Sequence, residues 1–203
     1  MLTALQATQI KSMVTTQLKV NVKAWGNLDL SDWTRTDIGD VSLLLGWDKK
    51  FCFKNKFLRW LGLEVKGGVV FPTAPTKDED KAFAMPLGND GAWAFPLIAG
   101  LRINFFKHLT LGGNYDVTFY ADETRVRRLK TNVNQTDFLL LNKGNAVKSY
   151  GNTEQWAAYA PLHRVIMGLG GGFTYQRVSH GHDTLTPKDA GFDKAIVNTT
   201  NSL

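Results

Sequence analysis

The sequence of 203 residues predicts an all-β fold: an antiparallel transmembrane β-barrel, or most of one, arranged as an up-and-down meander of about seven to eight strands. Strand-like stretches are joined alternately by tight turns and by long polar segments, which is typical of outer-membrane barrels. The clean stretches are about 10 residues long, as a tilted strand needs to cross a bilayer, whereas soluble strands average about 5–6 residues. The seven stretches are residues 17–27, 38–48, 61–72, 96–106, 109–120, 153–161 and 165–177.

The first stretch shows the pattern inside a strand most simply. In residues 18–24 every second side chain is apolar and every intervening one is polar. Successive side chains of a strand point to opposite faces, so this alternation predicts a strand with one apolar and one polar face. A helix is expected to repeat its apolar residues at spacings of three and four instead.

The second to fifth and the seventh stretches alternate in the same way, with exceptions such as Leu44, Ile98 and Ile166, while residues 153–161 do not alternate cleanly. In a barrel the apolar series faces lipid and the polar series faces the lumen. The predicted lipid-facing side chains are Leu18, Val20, Val22, Val41, Leu43, Leu45, Leu63, Val65, Val69, Leu101, Ile103, Leu111, Val117, Met167 and Leu169. The predicted lumen-lining side chains are Lys19, Asn21, Lys23, Asp40, Ser42, Glu64, Lys66, Arg102, Asn104, Asn114, Asp116 and Gln176.

Aromatic residues collect near the ends of these stretches. Two such bands match the interfacial girdles of a membrane barrel, although the core of a soluble sandwich also buries aromatic rings. The band at the tight turns is Trp47, Phe57, Trp60, Phe105 and Phe106. The band at the long loops is Trp25, Phe71, Phe95, Phe119, Tyr120, Trp156 and Tyr175.

Composition narrows the functional classes. No apolar run approaches the roughly 20 residues of a membrane helix, and the single cysteine, Cys52, allows no intrachain disulfide. The formal net charge is +6, with basic clusters in residues 49–59 and 125–130. No recognition helix or aromatic RNA motif accompanies this charge, so nucleic acid is not an expected partner. The expected partners are the lipid bilayer, anionic lipopolysaccharide at the outer loops, and small solutes that pass through a lumen.

The two ends of the chain lack features that an exported barrel needs. Residues 1–17 have no basic start, apolar core or cleavage site of a secretory signal, and the chain does not finish on a strand with a terminal aromatic. The sequence therefore predicts one barrel domain over residues 1–203 that is a fragment. Residues 1–16 and 179–203 are predicted to be irregular.

Residues with catalytic or ligand-binding chemistry are few. Ser179, His180, His182 and Asp183 suggest a lipid hydrolase, but a serine nucleophile needs a base and an orienting group in defined geometry. Two histidines fall short of a metal site, and the acidic run 78–80 is either a calcium site or a solvated loop tip. Residues 125–130 are expected to extend the fifth strand into an exposed hairpin. No catalytic residue, metal or cofactor is predicted.

Two segments carry a family resemblance: LGLEVKGGVVFPT at residues 61–73 and LGNDGAW at residues 87–93. They resemble outer-membrane β-barrel proteins of Gram-negative-type bacteria, and the likeness covers residues 41–186 in strand order and loop asymmetry. The resemblance implies a secretion signal before the first strand and further strands after the seventh, and it carries no activity. The expected function is a structural protein or passive pore in the outer membrane. The alternatives are a soluble lipocalin-like barrel that binds an apolar ligand, and an outer-membrane lipid hydrolase.

Overall fold

The computed structural model describes residues 11–12, 17–106, 108–136, 139–166 and 169–199. This part of the chain is mainly β-structure, with nine strands in two antiparallel sheets. The strands are β1 Val41–Cys52, β2 Leu58–Phe71, β3 Ala94–Phe105, β4 Leu109–Tyr120, β5 Glu123–Arg128, β6 Lys143–Ser149, β7 Thr153–Ile166, β8 Leu169–His180 and β9 Thr184–Pro187. Two helices flank them, α1 Leu18–Gly26 and α2 Lys194–Val197.

The larger sheet is a six-stranded meander with the order β1-β2-β3-β4-β7-β8, and every neighbouring pair is antiparallel. Short connections at residues 53–57 and 106–108 join strands at one end. Long segments at residues 72–93 and 121–152 join them at the other. The all-β, antiparallel, up-and-down prediction is confirmed, and β4 has the predicted limits.

This sheet is open. β1 and β8 are its edge strands, and within the described residues each pairs on one side only. An even number of antiparallel strands makes the two edges antiparallel to each other, with their long-loop ends on the same side.

The register keeps the apolar series of each strand on one face of the sheet. Leu101 lies opposite Leu63 on β2 and Gly113 on β4. Glu64 lies opposite Gly100, which lies opposite Asn114. Pairs in exact register share a face because side chains alternate along both strands. The sheet therefore has one apolar and one polar face.

The long segments fold into a second unit, which we call the cap: residues 72–93, residues 121–152 and residues 181–199. Its three-stranded sheet has the order β5-β6-β9, and β5 begins only two residues after β4 ends. A small apolar core of Leu129, Ala146 and Val197 lies beside this sheet, and Leu185 and Phe192 pack against it. The expected hairpin after the fifth stretch is confirmed, but its arginines are largely buried instead of exposed.

The prediction of a first strand over residues 17–27 is wrong, since residues 18–26 form α1. Helix geometry places Leu18 and Val22 on one face, and Val22 is buried. The Arg128 guanidinium donates to the Gly26 carbonyl at 3.0 Å and ties this helix to the cap. Contacts remote in sequence thus override the local alternation.

Six site residues are reassigned as a consequence. They do not divide between two faces of a strand, because the segment is helical. Those predicted to face lipid were Leu18, Val20 and Val22, and those predicted to line the lumen were Lys19, Asn21 and Lys23.

Two further boundaries differ from prediction. β7 continues to Ile166, so the expected turn at residues 162–164 is wrong and Val165 belongs to β7. Met167 lies outside the described residues. The tail was predicted to be irregular, but it contains the end of β8, strand β9 and helix α2. Residues 1–10, 13–16 and 200–203 of the predicted irregular ends lie outside the described part.

Candidate functional site

Solvent exposure across the large sheet differs from that in a soluble protein. On the apolar face Leu97 is 48% exposed and Leu101 is 44% exposed. On the polar face Asn104 and Thr110 are each only 6% exposed. A soluble half-buried sheet turns its apolar side chains towards the core and its polar ones towards water. Here the polar face is buried only at its tight-turn end, since the Lys66 and Arg102 side chains at its centre are 44% and 43% exposed, and the apolar face is exposed to a similar degree.

Of the eleven described strand residues predicted to face lipid on this sheet, seven are exposed and four are not. Leu63, Val69 and Ile103 are half-buried, and Val117 is buried. The exposed ones are Val41, Leu43, Leu45, Val65, Leu101, Leu111 and Leu169.

Aromatic rings share this exposed face at its two ends. Phe57 and Phe106 lie beside the tight turns, with their ring centroids 4.9 Å apart, and both are exposed. Phe95 and Phe119 lie at the long-loop end and are exposed as well. Trp25 belongs to α1 and not to a strand. The predicted bands are incomplete on this face, because Trp60 lies opposite Asn104 on the polar face and Tyr120 lies on the same face as Asp116.

An apolar groove of about 540 Å³ crosses the middle of the exposed face. Its floor contains the small residues Ala99, Gly113 and Ala158, and two of its aromatic lining residues are Tyr115 and Trp156. The centroids of those two rings lie 4.2 Å apart. The groove offers apolar contacts almost alone.

The polar face has an ion triad at its centre. The Glu64 carboxylate lies between the Lys66 ammonium and the Arg102 guanidinium, whose Nη2 is 3.0 Å from Glu64 Oε2. Gly100 leaves room here, because a Cβ atom at this position would lie 2.9 Å from Asn114 Oδ1. Gly46 makes space for the Lys66 chain in the same way. Glycines opposite long side chains therefore leave space for the charged groups on the polar face.

The other predicted lumen residues are distributed along that face. Asp116 lies near the triad, and its Oδ1 has no hydrogen-bond partner within the described residues. Asn104 is buried at the tight-turn end, where it donates to the Leu109 carbonyl at 3.1 Å. Ser42 and Gln176 are exposed on the edge strands.

Asp40 is the exception among them, because it precedes β1 and holds the 72–93 loop. Its carboxylate accepts from the amides of Ala74 at 2.9 Å and Asn89 at 2.5 Å. The placement of Asp40 in the lumen is therefore wrong.

A buried ion network within the cap links strand β5 to the loop after β2. Asp90 accepts from Arg125 at 2.6 Å and from Arg127 at 2.8 Å. Arg127 also donates to Glu123 at 2.5 Å and to the Tyr150 hydroxyl at 3.3 Å. These arginine and carboxylate side chains are all less than one-fifth exposed. The network joins residues up to 37 positions apart.

The electrostatics of the network follow from this burial. Burial alone raises the pKa of Asp90, but the Lys77 amide and the two arginines outweigh it and hold that pKa below its ordinary value. Burial lowers the pKa of Arg127, yet Asp90, Tyr150 and Glu123 raise it overall. Burial raises the pKa of Tyr150, so its hydroxyl stays protonated at neutral pH. These shifts favour the charged forms of Asp90 and Arg127.

The sequence Asn89-Asp90-Gly91 is a turn signal, but it does not reveal the role of the Asp90 carboxylate. Asp90 and Gly91 do have positive φ angles, as a turn requires. A period-two pattern in residues 123–128 would have placed Glu123, Arg125 and Arg127 on one face of a strand. That pattern does not indicate that the Asp90 carboxylate forms ion pairs with the two arginines.

A cavity of about 370 Å³ lies in the cap beside this network. Part of its lining is apolar, including Leu28, Leu129, Leu140, Leu185 and Val197. The charged lining is Lys77, Glu79, Lys81, Asp90, Arg127, Arg128, Lys130 and Lys148. Cations outnumber carboxylates in this lining by six to two.

The acidic run at residues 78–80 takes part in ion pairs. Glu79 pairs with Arg125 at 3.3 Å, and Asp80 pairs with Lys143 and Arg128. Within the described residues, no group of three or more histidine, cysteine, aspartate or glutamate side chains is placed to hold a metal ion.

The hydrolase hypothesis fails in its expected form. Ser179 and His180 are neighbours on β8 and point to opposite faces, so His180 is not placed to activate Ser179. His180 Nδ1 instead lies 2.8 Å from the Thr153 hydroxyl, and its Nε2 lies 2.9 Å from Asp183 Oδ1. Asp183 also accepts from the Gly151 amide at 3.0 Å and pairs with Lys148. These contacts fasten the loop after β8 to the start of β7.

No helix of the described residues is long and apolar enough to cross a membrane. Neither a protein-family model nor a curated protein matches the sequence.

Proposed function

We propose that this chain is an outer-membrane β-barrel protein that serves as a structural element or passive pore. Its six-stranded sheet forms part of the barrel wall. The observation that carries the proposal is the exposed apolar face of the sheet, whose leucine and aromatic side chains are as exposed as Lys66 and Arg102 on the polar face. In a membrane barrel the outer face contacts lipid and the interior is polar. No enzymatic activity is part of the proposal.

The size of the apolar face supports lipid as its solvent. Monomeric soluble proteins rarely expose apolar patches larger than a few hundred Å². Burying one large apolar side chain is worth about 1.5–3 kcal/mol, so leaving a whole face in water is costly. Its exposed members include Leu45, Trp47, Val65, Leu97, Leu101, Leu111, Phe119, Trp156, Phe173 and Tyr175. In a bilayer this face contacts lipid instead of water, so no other protein surface is needed to cover it.

The open edges set a second requirement. Unpaired backbone groups are not tolerated in hydrocarbon, so membrane sheets close on themselves. Known barrels have at least about eight strands, two more than this sheet. In the proposal β1 and β8 therefore pair with further strands in the membrane. Their antiparallel relation is compatible with continuation of the meander on both sides.

The polar face becomes the lumen wall in this arrangement. The triad of Lys66, Glu64 and Arg102 carries both signs of charge. Such a wall is compatible with internal salt bridges that fill the lumen or with a water-filled pore of low selectivity. The cap then stands at the long-loop end of the barrel. Its exposed lysines, such as Lys188 and Lys194, make lipopolysaccharide, besides the bilayer, the proposed partner there.

The soluble lipocalin-like alternative needs the apolar face to be enclosed around a ligand. The exposure of Leu97 and Leu101 is the opposite arrangement, and we therefore favour the membrane barrel.

The test is insertion of the full chain into vesicles. Trp47 and Trp156 lie exposed on the apolar face, so lipids brominated on their acyl chains should quench tryptophan fluorescence once the protein inserts. Substituting both by phenylalanine should remove most of that quenching, whereas substituting Trp93 in the cap should not. A folded protein that stays in the aqueous phase, or quenching that is independent of Trp47 and Trp156, contradicts the proposal.

A further inference from the structure

The cap cavity is outside the proposed lumen and has its own chemistry. At about 370 Å³ it falls within the range of roughly 300–1,000 Å³ that is common for small-molecule sites. Its lining joins apolar side chains to a surplus of lysine and arginine. A surplus of one sign inside a partly apolar cavity needs a counter-charge, because low polarity strengthens unbalanced repulsion.

Some of these cations already have protein partners. The Arg128 guanidinium donates to the carbonyls of Gly26, Leu140 and Leu141 at 2.9–3.1 Å. Burial lowers its pKa despite the acidic run 78–80 beside it. Lys148 pairs with Asp183 at 2.9 Å. These two side chains are committed to holding the cap together.

Lys77 and Lys81 are different. Both line the cavity and are half-buried, and neither forms an ion pair with a carboxylate within the described residues. Asp90 is engaged by two arginines and Glu79 by Arg125, whereas Lys81 also interacts electrostatically with Asp29. The positive charge of Lys77 is therefore available to a ligand, and that of Lys81 is only partly balanced.

Arg127 supplies a second, independent observation. Its side chain lines the cavity and is only 8% exposed. Both terminal nitrogens have acceptors, but the buried Nε has none within the described residues. Buried donors are nearly always satisfied, so an unpartnered one marks a place where an acceptor belongs.

We propose that the cap cavity binds a phosphate-bearing anion through Lys77, Lys81 and Arg127. Lysines attract phosphate as compact point charges, and a guanidinium donates to phosphate oxygens in fixed directions. The phosphate balances the two lysine charges, and the Arg127 guanidinium lies in the cavity wall beside it. The apolar lining accommodates the organic part of a phosphate ester, whether a free metabolite or a lipid headgroup with its adjoining chain.

The primary experiment titrates inorganic phosphate into the purified full chain by calorimetry in a buffer of low ionic strength. Saturable binding is expected. The double variant Lys77→Gln with Lys81→Gln should bind about tenfold more weakly, the loss typical of one or two charge-assisted hydrogen bonds. The matched control is Lys54→Gln with Lys56→Gln, two exposed lysines at the tight-turn end, which should bind like the native chain.

Three results overturn the proposal: no saturable binding by the native chain, equal binding by the Lys77/Lys81 variant, or an equal loss in the control. Circular dichroism verifies that each variant is folded. The single variants Lys77→Gln and Lys81→Gln, each with a smaller expected loss, replace the double variant if it does not fold.

The source of the phosphate is resolved with vesicles of phosphatidylcholine, with and without phosphatidic acid. A gain in affinity from phosphatidic acid that depends on Lys77 and Lys81 and is competed by inorganic phosphate assigns a lipid headgroup. Binding of inorganic phosphate with no effect of phosphatidic acid assigns a soluble phosphate ester. The calorimetry does not require insertion, so failure of the barrel proposal and failure of the anion site give different results.

Discussion

The orientation of the large sheet is best tested by one arginine on each face. Leu101 lies near the middle of β3, is 44% exposed, and is opposite Leu63 and Gly113 in register. In the proposed barrel Leu101→Arg puts a charge at mid-depth in lipid. The expected cost is about 2–4 kcal/mol in the free energy of folding into the bilayer.

The matched variant is Gln155→Arg on the polar face of β7. Gln155 is half-buried and lies opposite Asp116, whose Oδ1 has no hydrogen-bond partner within the described residues. The new guanidinium can pair with that carboxylate, so the expected change is below about 1 kcal/mol. Asn104 is unsuitable as a control, because it is buried and its amide donates to Leu109 and Thr110.

The assay is reversible folding into lipid vesicles, followed by tryptophan fluorescence across a urea titration. A difference of at least about 1 kcal/mol between the variants, about fivefold or more in the folding equilibrium, is expected. Equal costs at both positions, or a larger cost for Gln155→Arg, would refute the assignment of faces.

Three other outcomes are expected. Asp90→Asn should lower the free energy of unfolding by about 2 kcal/mol at neutral pH, because it removes a charged acceptor from two arginines. The control Asp37→Asn, at an exposed ion pair, should lower it by less than about 1 kcal/mol in the same urea titration. Because the pKa of Asp90 is depressed in the folded protein, its contribution to stability is complete above the ordinary pKa of 3.8 and is lost as pH falls through the lower folded pKa. If the native chain and Asp90→Asn differ in unfolding free energy by the same amount in strong acid as at neutral pH, this expectation is contradicted. In vesicles the amides of β1 and β8 should exchange with deuterium as slowly as those of β3, and fast exchange confined to the two edges would show that they stay unpaired.

The strands of the large sheet were predictable because their information is local. Residues 109–120 alternate almost without exception, and β4 has those limits. β7 shows the limit of this reasoning: its first residue was predicted, but its continuation to Ile166 was not, because its sequence alternates poorly. The tight turns and long loops likewise specified which strands are neighbours, since short connections can only join adjacent antiparallel strands.

The cap and the ends depended on contacts remote in sequence. Residues 18–24 alternate as a strand would, yet they form α1, whose Gly26 carbonyl accepts from an arginine 102 positions away. Asp90 reads as an ordinary turn residue until the fold places it against Arg125 and Arg127.

The sequence by itself determined the antiparallel meander and the division of its strands into an apolar and a polar face, because a period of two is a property of neighbouring residues. Only the tertiary structure decided how far each face is exposed. It also decided which charged side chains of the loops form ion pairs. The two unpaired edges of the sheet, among the described strands, were likewise decided by the tertiary structure. Those properties depend on how distant segments curve, pack and pair, and no local pattern encodes them.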